Sequence, residues 1–479
     1  MNRREVIRHG VSALSEQRSI LREACTGSAA CYTKKTLAES YRDIVIDMLG
    51  TIRRTQSSKL LESAHVIART VETGGVCWFS WDMGHSILAD IFPGRPGVPK
   101  IFTPGFDERK AGSGDLLLMS IWDGLQAIIT GVGFDGATEA LPPMTHEGVE
   151  RSNAFVIGAP APWGLDAAGS EKVVYEGAKH RVRPHADIWI DTGITTLGAV
   201  VDVPGMGAPI GPASGILGMV TFWMMVADAS RILSRDGKSL PVQGSGPILA
   251  TDAPREKTTA PLMGRWFDTA LNRMEMIGAE QGAIREAASR AVDSVLAGGK
   301  VWCYSRDKSM LAFEATTRRG GLALTRGVYD DKGTLSVFGA PFPGKAGDTV
   351  VMGIVEPDDP VDLRHLDTFR SLDMTIVSIG PSTRGGEHPG NRNVPDGSDI
   401  HLGIMCDADG LFALPGFERK ICPVSGVLVN MLFWSLCLDI AEEIMNRTGD
   451  VPGVYLTGAV EGGMEHLYRV NALYELRGY

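Results

Sequence analysis

The sequence predicts an α/β protein built from two tandem copies of one domain, each with a parallel β-sheet covered by helices on both faces. Three observations lead to this prediction. A block near the middle of the chain recurs near its end, short runs that are apolar throughout alternate with helical stretches, and residues 243–260 form a join rich in Gly, Pro, Ser and Thr. Uniformly apolar strands are typical of parallel sheets that are buried on both faces.

The repeat is clearest at the start of an apolar helix. Ile210-Gly-Pro-Ala-Ser-Gly-Ile-Leu217, followed by Phe222-Trp223, returns with the same spacing as Ile421-Cys-Pro-Val-Ser-Gly-Val-Leu428, followed by Phe433-Trp434. A repeat close to half the chain length indicates a duplicated domain, because the units of solenoid proteins are far shorter.

Further pieces recur in the same order with loops of different length between them. The matched pairs are Gly74-Gly75 with Gly298-Gly299, Gly114-Asp115 with Gly347-Asp348, Ala186-Asp-Ile188 with Ser398-Asp-Ile400, and Asp228 with Asp439. Loops absorb insertions, whereas packed elements do not. We therefore predict an N-terminal arm over residues 1–35 and two domains over residues 36–250 and 251–479.

The elements of the first copy follow from the period of its apolar residues. Helical spacing predicts one or two long helices between residues 36 and 73, which Gly74-Gly75 ends. Short apolar runs predict buried strands at 76–80, 115–121, 154–157 and 188–190, and a long apolar helix follows at 214–233.

The second copy repeats this pattern. It predicts helices at 263–296, 362–371 and 425–445, and strands at 301–305, 349–354, 374–379, 400–404 and 453–457.

Composition and charge narrow the range of functions. The chain is 44% hydrophobic and 22% charged, as in an ordinary globular protein. Its net charge of −10 argues against a nucleic-acid surface, which needs clustered Lys and Arg. The seven cysteines contain no CxxC pair, which indicates reduced thiols in a cytoplasmic protein. The longest apolar stretches are too short to span a membrane, and no cofactor, metal, nucleic acid or membrane partner is expected.

Five segments resemble the SIS (sugar isomerase) phosphosugar-binding domain family. They are most similar to segments of uncharacterised SIS proteins that carry a Gly-Thr-Gly-His-Ser loop. They are Met83-Gly-His-Ser86, Gly114-Asp-Leu-Leu117, Ala186-Asp-Ile-Trp-Ile-Asp191, Gly211-Pro-Ala-Ser214 and Glu461-Gly-Gly-Met-Glu-His466. The resemblance covers roughly residues 36–250 and 262–479. It implies two tandem three-layer α-β-α sandwiches with five-stranded parallel sheets, packed as a pseudo-dimer, and further pairing into a homo-oligomer.

The resemblance also implies a ligand, a sugar phosphate at the carboxyl ends of the strands, held by hydroxyls and by amides at helix starts. The implied ligand-binding residues are Gly84, Ser86, Ser214, Ser305, Arg306, Lys308, Ser309 and Ser425. Helix capping is the alternative for Ser214 and Ser425, and pairing with Asp307 is the alternative for Arg306.

Two loops depart from the family pattern. Ile121-Trp-Asp-Gly124 and Ile354-Val-Glu-Pro-Asp-Asp359 carry no hydroxyl where the family has several. A desolvated carboxylate repels phosphate, and Pro357 removes a backbone donor.

Catalysis, if the chain is an aldose–ketose isomerase, requires a base that moves a proton between carbons and an acid–base group that opens the sugar ring. The resemblance implies Glu465 as the base and His85 or His466 for ring opening. The rival hypothesis is a regulatory or structural subunit without enzymatic activity, built on a degenerate SIS scaffold.

Overall fold

The computed structural model describes residues 35–81, 95–104, 106–107, 109–120, 152, 154–158, 186–194, 198–235, 237, 240–244, 248–250, 252–306, 311–316, 318–331, 333–337, 339–384, 387–388, 390–407, 409–456 and 462–479. These residues form an α/β protein, which confirms the α/β part of the predicted fold class.

The first sheet has five parallel strands that follow one long helix. Helix α1 (Leu37–Glu72) is continuous and begins with a capping box, in which the side chains of Thr36 and Glu39 bond each other's backbone amides. The strand order is β2-β1-β3-β4-β5. The strands are β1 (Cys77–Trp81), β2 (Phe102–Pro104), β3 (Leu116–Ser120), β4 (Phe155–Gly158) and β5 (Ile188–Trp189).

A short antiparallel ribbon follows the first sheet and was not predicted. It consists of β6 (Ala199–Val201) and β7 (Ile210–Pro212), and it leads directly into the apolar helix α2 (Ser214–Arg235).

The second half opens with α3 (Met263–Met276), a 3₁₀ turn and α4 (Gln281–Leu296). Its sheet has seven strands in the order β11-β10-β9-β8-β12-β13-β14. They are β8 (Val301–Ser305), β9 (Thr325–Asp331), β10 (Thr334–Val337), β11 (Ala340–Pro341), β12 (Thr349–Gly353), β13 (Thr375–Gly380) and β14 (Ile400–Gly403). The helices are α5 (Leu311–Glu314), α6 (Pro360–Ser371), α7 (Val394–Gly397), α8 (Ser425–Thr448) and α9 (Gly463–Arg477).

The two sheets share one strand order over five strands. The parallel series β2-β1-β3-β4-β5 of the first sheet corresponds in position to β9-β8-β12-β13-β14 of the second. The prediction of a five-stranded parallel sheet is wrong for the second half, because two extra antiparallel strands, β10 and β11, extend this sheet to seven strands. The strand predicted at 453–457 is wrong: in the described residues this segment forms only an isolated bridge between Val454 and Leu322.

Helices cover both faces of the second sheet. Along β8, Val301 and Cys303 point into the largest apolar core of the chain, while Trp302 and Tyr304 point into a separate cluster on the opposite face. Along β1, Cys77 and Phe79 likewise join the large core, and Trp78 lies in a smaller cluster. Alternation of this kind is the pattern of a sheet buried on both sides.

The large core belongs to both halves of the chain. Helices α2 and α8 are almost wholly buried in it, and α1 packs against both of them. Contrary to the expectation from sequence, one helix in the described part of the chain, α2, is long and apolar enough to cross a membrane, but 94% of its most apolar window is buried inside the protein. Its hydrophobicity is therefore accounted for by burial in the core.

Each half anchors its first strand with an equivalent carboxylate. Asp115 accepts bonds from the Val76 amide and the Trp78 indole N–H. Asp348 accepts bonds from the Lys300 amide and the Trp302 indole N–H. The same three groups thus occur at matching positions of the two sheets.

In each half, a carboxylate accepts hydrogen bonds from backbone amides at the start of a helix in the other half. Asp228 on α2 accepts from the amides of Leu262 and Met263 at the start of α3. Glu442 on α8 accepts from the Leu37 amide at the start of α1. Each carboxylate lies on a central helix of one half and satisfies the first amides of the opening helix of the other.

Candidate functional site

The carboxyl edge of the second sheet is the best described place for a ligand. Parallel strands β8, β12, β13 and β14 end side by side, at Ser305, Gly353, Gly380 and Gly403. In open α/β sheets ligands bind outside this edge, because loops and helix starts converge there. The polar groups of this edge come from the loops after these strands.

Ser305 and Arg306 both have partners within the protein. The Ser305 hydroxyl is buried and accepts from the Ala312 amide at 3.3 Å. Arg306 forms an ion pair with Asp359. Asp307, the sequence-based alternative partner for Arg306, lies outside the described residues.

Asp359 occupies the start of helix α6. Its carboxylate accepts from the amides of Val361 at 2.8 Å and Asp362 at 3.2 Å. These are the amides that would hold a phosphate in an anion-binding helix, and Arg306 is the cation that would neutralise it. The protein's own carboxylate therefore fills this anion position.

Carboxylates dominate the rest of this edge. Arg384 bonds Glu356 at 2.8 Å and Asp358 at 2.9 Å, and the Thr383 hydroxyl bonds Asp407. Burial raises the pKa of Asp409, which lies near this group. An approaching ligand thus meets hydroxyls, the paired guanidinium groups of Arg306 and Arg384, and several carboxylates.

A hydrogen-bonded chain of three side chains crosses from β13 to β14. The His401 ring lies between two serines, with Nδ1 2.8 Å from Ser378 Oγ and Nε2 2.9 Å from Ser382 Oγ. Ser378 is fully buried, whereas Ser382 is half-buried at the edge of the sheet. These residues were not singled out from the sequence, because the two serines lie 23 and 19 positions from His401.

Ser214 and Ser425 open the two central helices, and each receives a bond from an arginine of the other half. Arg318 donates to Ser214 Oγ at 3.0 Å, and Arg95 donates to Ser425 Oγ at 2.8 Å. We call these the crossed Arg–Ser bonds. Val424 caps α8 without a side-chain bond, so capping does not explain Ser425.

Both arginines of the crossed bonds are nearly inaccessible to solvent. Arg95 is 3% exposed and Arg318 is 8% exposed. Arg318 also pairs with the buried Glu314 at 3.4 Å. Burial raises the pKa of the Cys406 thiol, just beyond β14, to about 12, and the charges of Arg273 and Arg95 offset part of this effect.

Glu465 and His466 lie on α9. Glu465 is exposed in the first turn. His466 is buried; its Nε2 lies 2.7 Å from the Val454 carbonyl and its Nδ1 lies 3.0 Å from Arg469. Burial lowers the pKa of His466, which keeps the ring neutral. Both ring nitrogens have partners, which disfavours ring opening by this residue.

Gly84, His85, Ser86, Lys308 and Ser309 lie outside the described residues, and so does the loop from Ile121 to Gly124. Their roles stay predictions. In the residues that are described, no three His, Cys, Asp or Glu side chains form a group that could hold a metal ion.

No protein-family model matches the chain. It is similar to a UPF0309 protein of Streptomyces griseus, 25% identical over 243 residues, which covers 45% of this chain and 96% of the relative. A UPF0309 protein of Listeria monocytogenes is 21% identical over 220 residues, covering 43% of this chain and 94% of the relative. Each relative therefore aligns over almost its whole length with less than half of this chain.

Among solved structures, the chain is similar to the C-terminal domain of glucosamine-fructose-6-phosphate aminotransferase from Francisella tularensis. The match covers 89% of this chain and 100% of that one, with 9% identity and a TM-score of 0.42. Glucosamine-6-phosphate deaminase from Thermotoga maritima matches over 87% of this chain and 98% of its own, with 10% identity and a TM-score of 0.36. At these values the likeness assigns no activity.

Proposed function

We propose that the chain is a double SIS-domain protein that binds a phosphorylated sugar or another carbohydrate derivative. The observation that carries this proposal is the pair of crossed Arg–Ser bonds, Arg95 to Ser425 and Arg318 to Ser214. They place a buried guanidinium from one half beside a hydroxyl at a helix start of the other, and a hydroxyl, a cation and helix amides together suit an anionic group.

Three further observations support a tandem duplication. The sheets share their order over five strands, and their first strands are anchored by equivalent carboxylates, Asp115 and Asp348. In addition, two curated relatives are each about as long as one half of this chain. The two halves would then pack as a pseudo-dimer through α1, α2 and α8.

The ligand of the first half would lie at the carboxyl edge of the first sheet, near Gly84, His85 and Ser86. If the protein is an isomerase, Glu465 would serve as the base and His85 would open the ring. His466 is held by Val454 and Arg469, and its structural partners favour His85 over it for ring opening.

The second candidate function is a regulatory or structural subunit without activity. The observation that favours it is the start of helix α6, where the Asp359 carboxylate accepts from the amide that could bind an anion and pairs with Arg306. A scaffold whose second edge no longer binds phosphate would leave one ligand site or none.

Thermal unfolding with a panel of sugar phosphates tests the binding proposal. A ligand present at 100 times its dissociation constant should stabilise the protein by about 2.7 kcal/mol. Ser425→Ala removes one hydroxyl of the crossed bonds and should weaken the response, whereas Ser371→Ala, an exposed serine on α6, should not. The absence of a response to every sugar phosphate would favour the structural subunit.

Proton exchange tests for isomerase activity. An isomerase should exchange the C2 proton of a bound sugar phosphate with heavy water, and NMR detects the loss of that signal. Glu465→Gln should abolish the exchange without abolishing the thermal response. Exchange that persists in this variant would rule out Glu465 as the base.

A further inference from the structure

We propose that the Ser382 hydroxyl is a nucleophile activated by His401. The site that these residues form, at the carboxyl edge of the second sheet, would remove an acyl group from an O-acylated sugar or amino sugar. Nothing in the sequence motifs or in the names of the relatives points to this activity. The inference depends on the geometry of three side chains, and it stands whether or not a sugar phosphate binds elsewhere.

The geometry is that of a nucleophile, a base and an orienting group. Ser382 Oγ lies 2.9 Å from His401 Nε2, and His401 Nδ1 lies 2.8 Å from Ser378 Oγ. A hydroxyl within hydrogen-bond reach of an imidazole, whose other nitrogen is held by a third group, is the general signature of an activated serine.

The fold fixes the base. Ser378 and His401 are register partners on the adjacent strands β13 and β14, so backbone pairing sets their separation. Ser382 lies two residues beyond the end of β13 and is half-buried, so it is accessible from the sheet edge. Gly403 leaves room for the contact, because a Cβ there would lie 3.1 Å from Ser382 Oγ.

The proposal requires one tautomer of the ring. Nδ1 carries the proton and donates it to Ser378 Oγ, which lies 2.8 Å away. Nε2 is then the acceptor that faces the Ser382 hydroxyl.

The ring is neutral at physiological pH and can accept a proton. Burial lowers the pKa of His401 to about 4, and the Asp396 carboxylate and the bond to Ser378 offset only part of that effect. Among the described residues both ring nitrogens bond serine hydroxyls, where a Ser-His-Asp triad has a carboxylate on one of them, so the imidazolium formed during reaction is less stabilised. We therefore expect slow turnover.

The surrounding charges select the substrate class. Thr383 and Arg384 follow Ser382 directly and are bonded to Asp407, Glu356 and Asp358. This carboxylate-rich edge repels polyanions and accepts hydrogen bonds from hydroxyl and ammonium groups. An acylated neutral sugar or amino sugar is compatible with the charge of this edge, whereas a phosphorylated sugar would be repelled by its carboxylates.

The reaction has two balanced steps. Ser382 Oγ attacks the ester carbonyl while its proton passes to His401 Nε2, and the sugar oxygen leaves with that proton as the C–O bond breaks. Water then attacks the acyl-enzyme, gives a proton to Nε2, and releases the carboxylic acid as Ser382 regains its proton.

A fluorophosphonate probe tests the nucleophile without any sugar. The Oγ–P bond forms, fluoride leaves, and the serine proton passes through His401 to water. Mass spectrometry should find the label on Ser382, with none in Ser382→Ala. His401→Gln should slow labelling about 10²-fold or more. Ser371→Ala, an exposed serine bonded only to the backbone of its own helix, is the matched control and should label like the wild type.

Two further measurements complete the test. Labelling should be constant between pH 6 and pH 8, because a ring with a pKa of about 4 is already neutral there. p-Nitrophenyl acetate should be hydrolysed and p-nitrophenyl phosphate should not. Melting curves confirm that each variant is folded.

The proposal is overturned if Ser382 is unlabelled in the folded protein, or if His401→Gln labels at the wild-type rate. It is also overturned if labelling increases steeply between pH 6 and pH 8. These failures are distinct from failure of the binding proposal, which the sugar-phosphate panel tests and this probe does not.

Discussion

Arg95 donates a hydrogen bond to Ser425 across 330 positions of the chain, and the bond is buried between the two halves. In its counterpart, Arg318 of the second half donates to Ser214 of the first half. Each central helix therefore begins against an arginine of the other half. Under the proposed function, a ligand site at either helix start would take groups from both halves.

Replacing Arg95 should destabilise the whole chain. A hydrogen bond from a charged group contributes about 1.5–3 kcal/mol, so Arg95→Met, which keeps most of the volume, should lower the free energy of unfolding by about that amount. Denaturant unfolding measures it. In a double-mutant cycle with Ser425→Ala the coupling energy should be at least about 0.5 kcal/mol. Additive effects would show that the bond contributes nothing.

Asp439 should make stability depend on pH. Burial raises its pKa to about 7, although the Gln281 side chain bonds it at 2.7 Å. The folded pKa exceeds the unfolded value, so the folded state binds the extra proton and stability falls as the pH increases from about 4 to about 7. Asp439→Asn should remove this loss, which is up to about 4 kcal/mol at pH 8.

The matched control for that experiment is Asp228→Asn on α2. Its carboxylate pairs with Arg231 at 2.6 Å and holds the first amides of α3. This variant should be less stable at both pH 5 and pH 8, as measured by urea unfolding. Equal behaviour of the two variants would contradict the different roles assigned to the two aspartates.

The equivalence of the two sheet anchors can be measured directly. Asp348 is 1% exposed and accepts hydrogen bonds from the backbone amides of Lys300 and Lys345 and from the Trp302 indole N–H. Asp348→Ala leaves these donors without an acceptor and should cost about 3 kcal/mol or more. Asp115→Ala should have a similar cost in the first half. A cost below 1 kcal/mol in either variant would show that the anchor is dispensable there.

Emptying the helix start of α6 should create an anion site. Asp359→Ser keeps a capping hydroxyl but removes the carboxylate that pairs with Arg306, so millimolar phosphate should raise the melting temperature of the variant more than that of the wild type. Adding Arg306→Gln should remove the gain. If phosphate affects the wild type and Asp359→Ser equally, the carboxylate does not occupy an anion position.

Much of this architecture could be predicted from sequence. Eight strands of the parallel series were predicted from their short apolar runs, because burial on both faces favours such runs: β1, β3, β4, β5, β8, β12, β13 and β14. β2 and β9 were missed: β2 is three residues long, and Arg326 and Asp330 interrupt the apolar pattern of β9. The extension formed by β10 and β11 was missed, although Gly333 marks the turn between β9 and β10.

The candidate site was harder to predict because it depends on contacts between distant residues. Ser378 and Ser382 lie 23 and 19 positions from His401, and only the register of β13 and β14 brings them together. The crossed Arg–Ser bonds join residues from different halves, and no local pattern marks their arginines. Sequence analysis identified the serines at both helix starts but not the side chains that bind them.

The crossed bonds join two similar but non-identical stretches of one polypeptide, and this has a consequence for how the protein can diverge. In an assembly of identical subunits, every substitution at an interface appears twice. Here it appears once, so one edge can gain a carboxylate such as Asp359 while its counterpart stays unaltered. Under the proposed duplication, two copies linked in one chain can each evolve their own chemistry against a partner that is always present.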